Sequence, residues 1–218
     1  MRALSIALAG LFLVSGAAAA QTPASSEQAL LHQIAGEVRP ERMRADIEAL
    51  VGFGTRHTLS DTRSDTRGIG AARRWAQGQF EAISRDCGGC LTVVTPSDTV
   101  TGARVPTPTE VVDIVAVQRG GGDPDRVIII SGHIDSRVTD VMNSTDDAPG
   151  ANDDASGVAA VLEAARVLSK RRFDATLVYA VLSGEEQGLL GGKILADYAQ
   201  AQGWRVEANL NNDIVGNS

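Results

Sequence analysis

The spacing of hydrophobic residues predicts five amphipathic helices along the chain. Apolar positions recur every three to four residues, which is the repeat of an α-helix with one buried face. In one stretch, for example, Ile69, Ala72, Ala76, Phe80 and Ile83 share a face. The pattern predicts helices over residues 25–34, 41–51, 70–84, 156–169 and 189–201.

Short runs rich in valine, isoleucine and leucine predict strands over residues 110–118, 126–131, 175–183 and 206–212. The glycine-rich residues 119–124 predict a turn between the first two. From there on, strands and helices alternate, which is typical of parallel strands joined by crossover helices. We therefore expect an α/β fold with a mostly parallel, twisted sheet flanked by helices.

Length and charge limit the class of protein. The chain has 218 residues, 43% of them hydrophobic, which suits one domain with a sizeable core. We expect a helical segment, residues 21–90, to pack on a main domain, residues 91–218. Asp and Glu number 27 against 20 Lys and Arg, a net charge of −7. Nucleic-acid binding needs clustered basic residues, so no nucleic-acid partner is expected.

Residues 1–20 have the composition of a signal peptide. Arg2 is followed by an apolar stretch, residues 3–14, and then by small residues that fit an Ala-x-Ala cleavage rule. The apolar stretch is shorter than the roughly 20 residues that a membrane span needs. We therefore expect cleavage near Ala20 and Gln21, export to the periplasm or the medium, and no membrane anchor.

Cys87 and Cys90 are the two cysteines of the chain. Their spacing is compatible with a redox-active pair, half of a zinc site or a local disulfide. A zinc cage would need two more ligands, and a redox motif would lie between a strand and a helix, whereas this pair follows a predicted helix. Because export leads to an oxidising compartment, we expect a disulfide between them.

Histidine and carboxylate side chains follow the predicted strands or precede the next helix. They are His133, Asp135, Asp153, Asp154, Glu185, Glu186 and Asp213. Because parallel strands end at one edge of a sheet, we expect these side chains to meet there. Crowded carboxylates repel one another unless a cation neutralises them. Imidazole and carboxylate ligands without thiolates suit zinc in an open, catalytic site.

Three motifs carry a resemblance to a known family. They are SGHIDS at 131–136, APGANDDASG at 148–157 and SGEEQG at 183–188. In order and spacing they resemble the M28 family of co-catalytic zinc aminopeptidases, over roughly residues 40–218. GFGTRH at 52–57 is similar to the segment that precedes the sheet in that family. The resemblance implies a zinc-exopeptidase, phosphorylase/hydrolase-like fold, two zinc ions in the complete enzyme and peptide substrates.

The resemblance also implies a role for each ligand. His133 and Asp213 would bind one zinc ion, Glu186 the other, and Asp153 would bridge both. The family tends to have a cis peptide bond after the bridging aspartate, here between Asp153 and Asp154. These assignments concern four metal ligands drawn from separate segments of the chain.

Two further acids have implied roles beside the metals. Glu185 would act as the general base that takes a proton from a zinc-activated water. Asp135 would hold the His133 ring and raise its basicity, as carboxylates behind metal-binding histidines do. At a strand end, neighbouring residues point in opposite directions, so Glu185 and Glu186 can have different roles.

The resemblance is incomplete at the C-terminus. In the family, the second zinc ion also binds a histidine far downstream, whereas the three histidines here are His32, His57 and His133. We expect His32 to be a solvated helix residue and do not expect His57 to replace the ligand. The pattern indicates a chain that is truncated relative to the family fold. We therefore expect one zinc ion to be bound tightly at most, and the isolated chain to be inactive if both ions are needed.

The function expected from the sequence is that of a secreted metallo-aminopeptidase, with peptides as substrates. Three alternatives remain open: a carboxypeptidase or dipeptidase, a glutaminyl cyclase, and an inactive peptidase-like binding domain. The presence of Glu185 argues against an inactive domain, because such a domain has no use for a base. Oligomeric state and side-chain preference are not predicted.

Overall fold

The computed structural model describes residues 25–216, so the expected signal peptide lies outside the described residues. Each helix predicted from the hydrophobic spacing is found in this part of the chain. The helices are α1 (Ser25–Ala35), α2 (Pro40–Gly52), α3 (Gly68–Asp86), α4 (Ser156–Leu168) and α5 (Leu190–Ala201). Within residues 25–216, no helix has the length and hydrophobicity needed to cross a membrane.

The strands of the described chain form two sheets. They are β1 (Thr92–Val94), β2 (Ser97–Gly102), β3 (Val105–Val112), β4 (Ile114–Gln118), β5 (Asp123–His133), β6 (Ala175–Leu182) and β7 (Arg205–Asn211). The central sheet has the order β1-β4-β6-β5-β7. Strands β6, β5 and β7 are parallel, whereas β4 is antiparallel to β6 and β1 to β4. The α/β class is confirmed, with a mixed sheet.

The strand predicted over residues 110–118 is in fact two strands, β3 and β4, separated by Asp113. The Asp113 N–H donates to Pro96 O at 2.9 Å, and its carboxylate accepts from the Ser183 N–H at 2.8 Å. The backbone therefore leaves one sheet and enters the other at this residue. Strand β3 pairs with β2 in a separate, largely exposed hairpin. Such a hairpin lacks the apolar alternation by which a half-buried strand is recognised.

Helices cover both faces of the central sheet. On one face, α3 and α4 pack their apolar sides on the strands, and the predicted face of α3, from Ile69 to Ile83, is buried there. On the other face, Leu195 of α5 packs against Val178 and Ala180 of β6. Strand β6 is therefore buried on both sides, which holds the ends of β6 and its neighbour β5 in fixed positions.

Cys87 and Cys90 are joined by a disulfide bond just after α3. Gly88 and Gly89 between them have φ angles of 75° and 84°. Glycine adopts such left-handed angles without the steric cost that a Cβ atom would add. The disulfide thus closes a tight turn between α3 and β1.

Gly157 lies where the start of α4 approaches β5, and an added methyl group has no space there. A Cβ atom at this position would lie 2.3 Å from Asn212 O and 2.4 Å from Asp154 Oδ2. We therefore expect Gly157→Ala to lower the free energy of unfolding by about 3 kcal/mol, a large overpacking cost. Urea unfolding followed by circular dichroism measures this change.

Gly78→Ala provides the matched control for that substitution. Gly78 lies inside α3, and a Cβ atom there would meet no described atom within 4 Å outside the local helix backbone. Replacing glycine by alanine in an open helix interior stabilises a protein by up to about 1 kcal/mol. Equal changes in the two variants would contradict the close packing at Gly157.

Candidate metal centre

The candidate site lies at the edge of the sheet where β5, β6 and β7 end. His133 is the last residue of β5, and Asp135 follows two positions later. Glu185 and Glu186 follow β6, and Asp213 follows β7. Because these strands are parallel neighbours, their C-terminal ends meet at one edge.

His133, Asp153 and Asp213 form a compact group of ligand atoms. One ligand atom from each side chain lies within 4.8 Å of the other two. Within residues 25–216, no other group of three or more His, Cys, Asp or Glu residues brings its ligand atoms this close together. His133 Nε2 is 3.2 Å from Asp153 Oδ1 and 3.8 Å from Asp213 Oδ1. The ring is buried, whereas the two aspartate side chains are 48% and 41% exposed. The group is therefore open to solvent on one side.

The His133 ring presents its Nε2 atom to this group. Its Nδ1 donates to Asp135 O at 3.2 Å, with Asp135 Oδ1 at 3.6 Å. Its Nε2 is buried and has no hydrogen-bond partner among the described residues, although Asp153 lies near it. A buried nitrogen without a partner is costly. Because carboxylate oxygens lie beside this nitrogen, the residues fit a divalent metal ion.

His133 is surrounded by negative charge. Burial is the largest single effect and alone would lower the pKa of the ring, but the hydrogen bond to Asp135 and the surrounding negative charges act in the opposite direction. Together with Asp154 and Glu185, Asp135 raises the pKa of His133 from 6.5 to about 10. The metal-free ring is therefore protonated at neutral pH. A divalent ion at Nε2 would replace this proton and supply the positive charge that the carboxylates require.

Asp135 is fully buried and connects His133 with the loop after β6. Its carboxylate accepts hydrogen bonds from Thr58 Oγ1 at 2.9 Å and from the N–H groups of Glu185 and Glu186 at 3.1 Å each. Burial alone would raise the pKa of Asp135, but His133 and these donors hold the pKa below its usual value. Asp135 therefore stays ionised and fixes the ring and the loop relative to each other.

Glu185 lies beside the ligand group without being part of it. Its Oε2 is 3.9 Å from His133 Nε2, and its side chain is half-buried. Partial burial and nearby carboxylates, Asp135 first among them, raise the pKa of Glu185 despite the opposing charge of His133. A carboxylate with a raised pKa is a stronger base and so accepts a proton more readily.

Glu186 is not brought into the ligand group. Its Oε2 accepts a hydrogen bond from Arg137 Nε at 2.6 Å, and its carbonyl oxygen accepts one from Arg104 Nη1 at 3.0 Å. Glu185 lies near His133 while the adjacent Glu186 contacts Arg137, so the two acids do have different surroundings. The assignment of Glu186 as a metal ligand stays a prediction.

An irregular helical turn, Ala151–Ala155, presents Asp153 to the site. Asp153 and Asp154 have non-helical backbone angles, and the peptide bond between them is cis, as the resemblance implied. Asp154 is buried and accepts hydrogen bonds from the N–H groups of His133 and Gly157 at 2.9 Å each. Burial raises the pKa of Asp154 to about 7. Through its two hydrogen bonds, Asp154 connects the turn to β5 and α4.

Arg56 positions the site, although the sequence does not identify it as a functional residue. Its fully buried guanidinium donates to the backbone carbonyls of Leu50, Ile134, Pro149 and Gly150. These contacts join α2 to the loops that flank the ligand group. Burial lowers the pKa of Arg56 to about 10, so the group remains charged at neutral pH. In the sequence, Arg56 stands among uncharged residues, which is compatible with a buried, structural arginine. The sequence does not specify which carbonyl groups this arginine binds.

The other two histidines of the chain lie outside the ligand group. His57 is buried; its Nδ1 accepts from the Leu59 N–H at 3.0 Å and its Nε2 donates to Val141 O at 3.0 Å. Both ring nitrogens are thus engaged, so His57 offers no free ligand atom. His32 is exposed on α1.

Comparison with known sequences identifies the segment that carries the site. Residues 113–218 match the sequence profile of peptidase family M28. This part of the chain belongs to peptidase family M28. The matched range includes the candidate ligands His133, Asp153 and Asp213 together with Glu185. The resemblance recognised from the three motifs is therefore confirmed.

One curated relative extends the match over most of the chain. A probable zinc metalloprotease of Pyricularia oryzae is 48% identical over 200 residues, which are 91% of this chain and 39% of that protein. The chain spans about two fifths of the length of the curated relatives that it matches first.

Solved structures share the M28 fold at low sequence identity. A leucine aminopeptidase precursor from Bacteroides thetaiotaomicron has a TM-score of 0.65 and 20% identity, covering 82% of this chain and 63% of that one. A glutaminyl cyclase from the same organism has a TM-score of 0.64 and 20% identity, covering 82% and 62%. At this identity the likeness shows the fold alone, which a peptidase and a cyclase share.

Proposed function

We propose that the chain belongs to an exported, zinc-dependent exopeptidase that removes N-terminal residues from peptides. The observation that carries this proposal is the buried Nε2 of His133, which has no hydrogen-bond partner among the described residues, faces Asp153 and Asp213 and has Glu185 beside it. Membership of family M28 and relatives named as zinc metalloproteases support the same chemistry.

The donor set suits zinc. One imidazole and two carboxylates, without a thiolate, form the kind of three-ligand site that zinc uses in hydrolases. The half-exposed carboxylates leave one side of the site accessible to a substrate. When bound, zinc acidifies water and polarises the carbonyl group of the bond to be cleaved.

The side chains around the ion would transfer protons and hold the metal ligands in position. Glu185 takes a proton from the attacking water and passes it to the amine that leaves, a task helped by its raised pKa. Asp135 holds the Nδ1–H of His133, so that Nε2 is the nitrogen that loses its proton and binds the ion. Asp135 also holds the N–H groups of the Glu185 loop, which fixes the distance between base and metal site.

Hydrolysis of matched substrates tests the proposal. The full-length protein, loaded with zinc, is expected to release p-nitroaniline from an aminoacyl p-nitroanilide, and a chelator should abolish the release. The N-acetylated substrate should not react. His133→Ala should lose zinc and activity, whereas His32→Ala, on an exposed helix position, should keep both. N-terminal sequencing of the exported protein is expected to start at Gln21.

Other outcomes would identify a different function for the same site. Cleavage of an N-acetylated peptide from its carboxyl end would indicate a carboxypeptidase. Cyclisation of an N-terminal glutamine without hydrolysis would indicate a cyclase. Zinc binding with neither reaction would indicate a binding domain. Each of these results contradicts the proposed aminopeptidase.

A further inference from the structure

Two fully buried acids hold the loop that carries Glu185. The Ser183 N–H donates to Asp113 Oδ1 at 2.8 Å. The N–H groups of Glu185 and Glu186 donate to Asp135 at 3.1 Å each. Asp113 directly precedes β4 and Asp135 follows β5, and these two strands are the neighbours of β6 in the sheet. The loop after β6 is therefore held from both sides.

Ser183, the first residue of that loop, has all of its polar groups engaged. Besides the N–H contact, its carbonyl oxygen accepts from the Gly191 N–H at 2.8 Å, and its Oγ donates to Val112 O at 2.6 Å. The same Oγ accepts from Arg73 Nε at 3.1 Å. Ser183 is fully buried, so water does not compete for these contacts. Glu185 follows two residues later, and the position of Ser183 therefore limits where Glu185 can lie.

Arg73 lies on the buried face of α3, one helical turn from Ile69 and from Ala76. The residue is 7% exposed, and its Nη2 has no hydrogen-bond partner among the described residues. Burial lowers the pKa of Arg73, whereas the negative charges of Asp135 and Asp113 act in the opposite direction. The guanidinium is therefore within electrostatic reach of both acids that hold the loop.

Packing alone does not require a charge at this position. A buried charged side chain can often be replaced by an apolar one of similar volume without loss of stability. The contact with Ser183 is different, because a hydrogen bond from a charged donor is stronger than one between neutral groups. The start of the loop is therefore held more firmly by Arg73 than it would be by an apolar residue.

We propose that Arg73 is a positioning residue for the general base. Through Ser183, it fixes the start of the loop and so keeps Glu185 beside the ligand group, where Oε2 lies 3.9 Å from His133 Nε2. Catalysis depends closely on such distances, and a misplacement of about 1 Å can lower a rate about 100-fold. This inference rests on the proposed function, in which Glu185 is the base.

A double-mutant cycle between Arg73 and Glu185 tests the proposal. The full-length protein, loaded with zinc, is assayed with an aminoacyl p-nitroanilide, and zinc content is measured on the same samples. Arg73→Met removes the donor but nearly keeps the length of the side chain, so it is expected to lower kcat about 10- to 100-fold with little change in KM or zinc content. Arg73→Lys, which keeps the charge, should lose less. In Glu185→Gln, where the base is already absent, adding Arg73→Met should lower kcat by less than about twofold further.

Two further variants serve as controls. Ser183→Ala removes the hydroxyl group that Arg73 contacts, so its loss of kcat should resemble that of Arg73→Met. It also tests the same contact if Arg73→Met does not fold. Arg74→Met is the matched control, because Arg74 is the next residue of α3, has a side chain that is 47% exposed, and donates to the carbonyls of residues 62–64. This variant should keep the kcat of the unmodified protein.

Three results would overturn the proposal. An equal fold-loss from Arg73→Met with and without Glu185 would show that Arg73 acts independently of the base. Loss of zinc from Arg73→Met would show that Arg73 supports the metal site instead. Unchanged kcat in both Arg73→Met and Ser183→Ala would show that the contact does not matter. Absence of hydrolysis by the unmodified, zinc-loaded protein would instead contradict the proposed function, and this inference with it.

Discussion

Glu185→Gln is expected to lower kcat for peptide hydrolysis about 1,000-fold, in the range for the loss of a general base. Glutamine has nearly the same shape as glutamate but cannot take a proton from water. The carboxylate lies 3.9 Å from His133 Nε2 and outside the three-ligand group, so the substitution leaves the metal ligands in place. Zinc affinity should therefore change little.

Steady-state kinetics of the zinc-loaded variant, with zinc content measured on the same sample, separates these two effects. Glu81→Gln is the control, because Glu81 is an exposed acid on α3 away from the site. Activity within about tenfold of the unmodified enzyme would show that another group acts as the base, because a general base contributes more than that. Loss of zinc from Glu185→Gln would show that Glu185 is a ligand instead.

The sequence predicts the buried elements of this fold better than the exposed ones. Helices α3 and α4 carry unbroken apolar faces, and β6 is an apolar run, so packing and pattern agree. The hairpin β2–β3 is largely exposed and therefore has no apolar pattern to recognise. Strand direction is a tertiary property, which is why the antiparallel pairing of β4 with β6 is not predicted.

At the candidate site, position in the chain predicts which residues meet but not which contacts they make. The rule that parallel strands end at one edge is enough to bring His133 and Asp213 together. The contact between Glu186 and Arg137 does not follow from this rule, because Arg137 lies in a loop whose path depends on the rest of the structure. The four carbonyl contacts of Arg56 likewise need three separate segments in place before they exist.

Zinc binding is expected to release about one proton per ion near neutral pH, and the proton comes from His133. The pKa of His133 is raised from 6.5 to about 10, so the metal-free ring is protonated below that pH. Zinc must displace this proton, and its apparent affinity should therefore rise about tenfold per pH unit up to about pH 10. The same raised pKa stabilises the metal-free fold fully below pH 6.5, and this contribution is lost as the pH rises toward about 10.

Asp135→Asn provides the matched control, because Asp135 is the main cause of the raised pKa. Without its hydrogen bond and negative charge, the two largest causes that raise the pKa of the ring are lost, so the pKa of His133 should fall. Between about pH 7.5 and pH 9, the zinc affinity of this variant should therefore depend less on pH than that of the unmodified protein, and it should be about 10- to 100-fold weaker because the ring is less well held. Calorimetry in buffers of different ionisation enthalpy counts the released protons. If both proteins show the same pH dependence, the proton does not come from His133, and Asp135 does not control its charge.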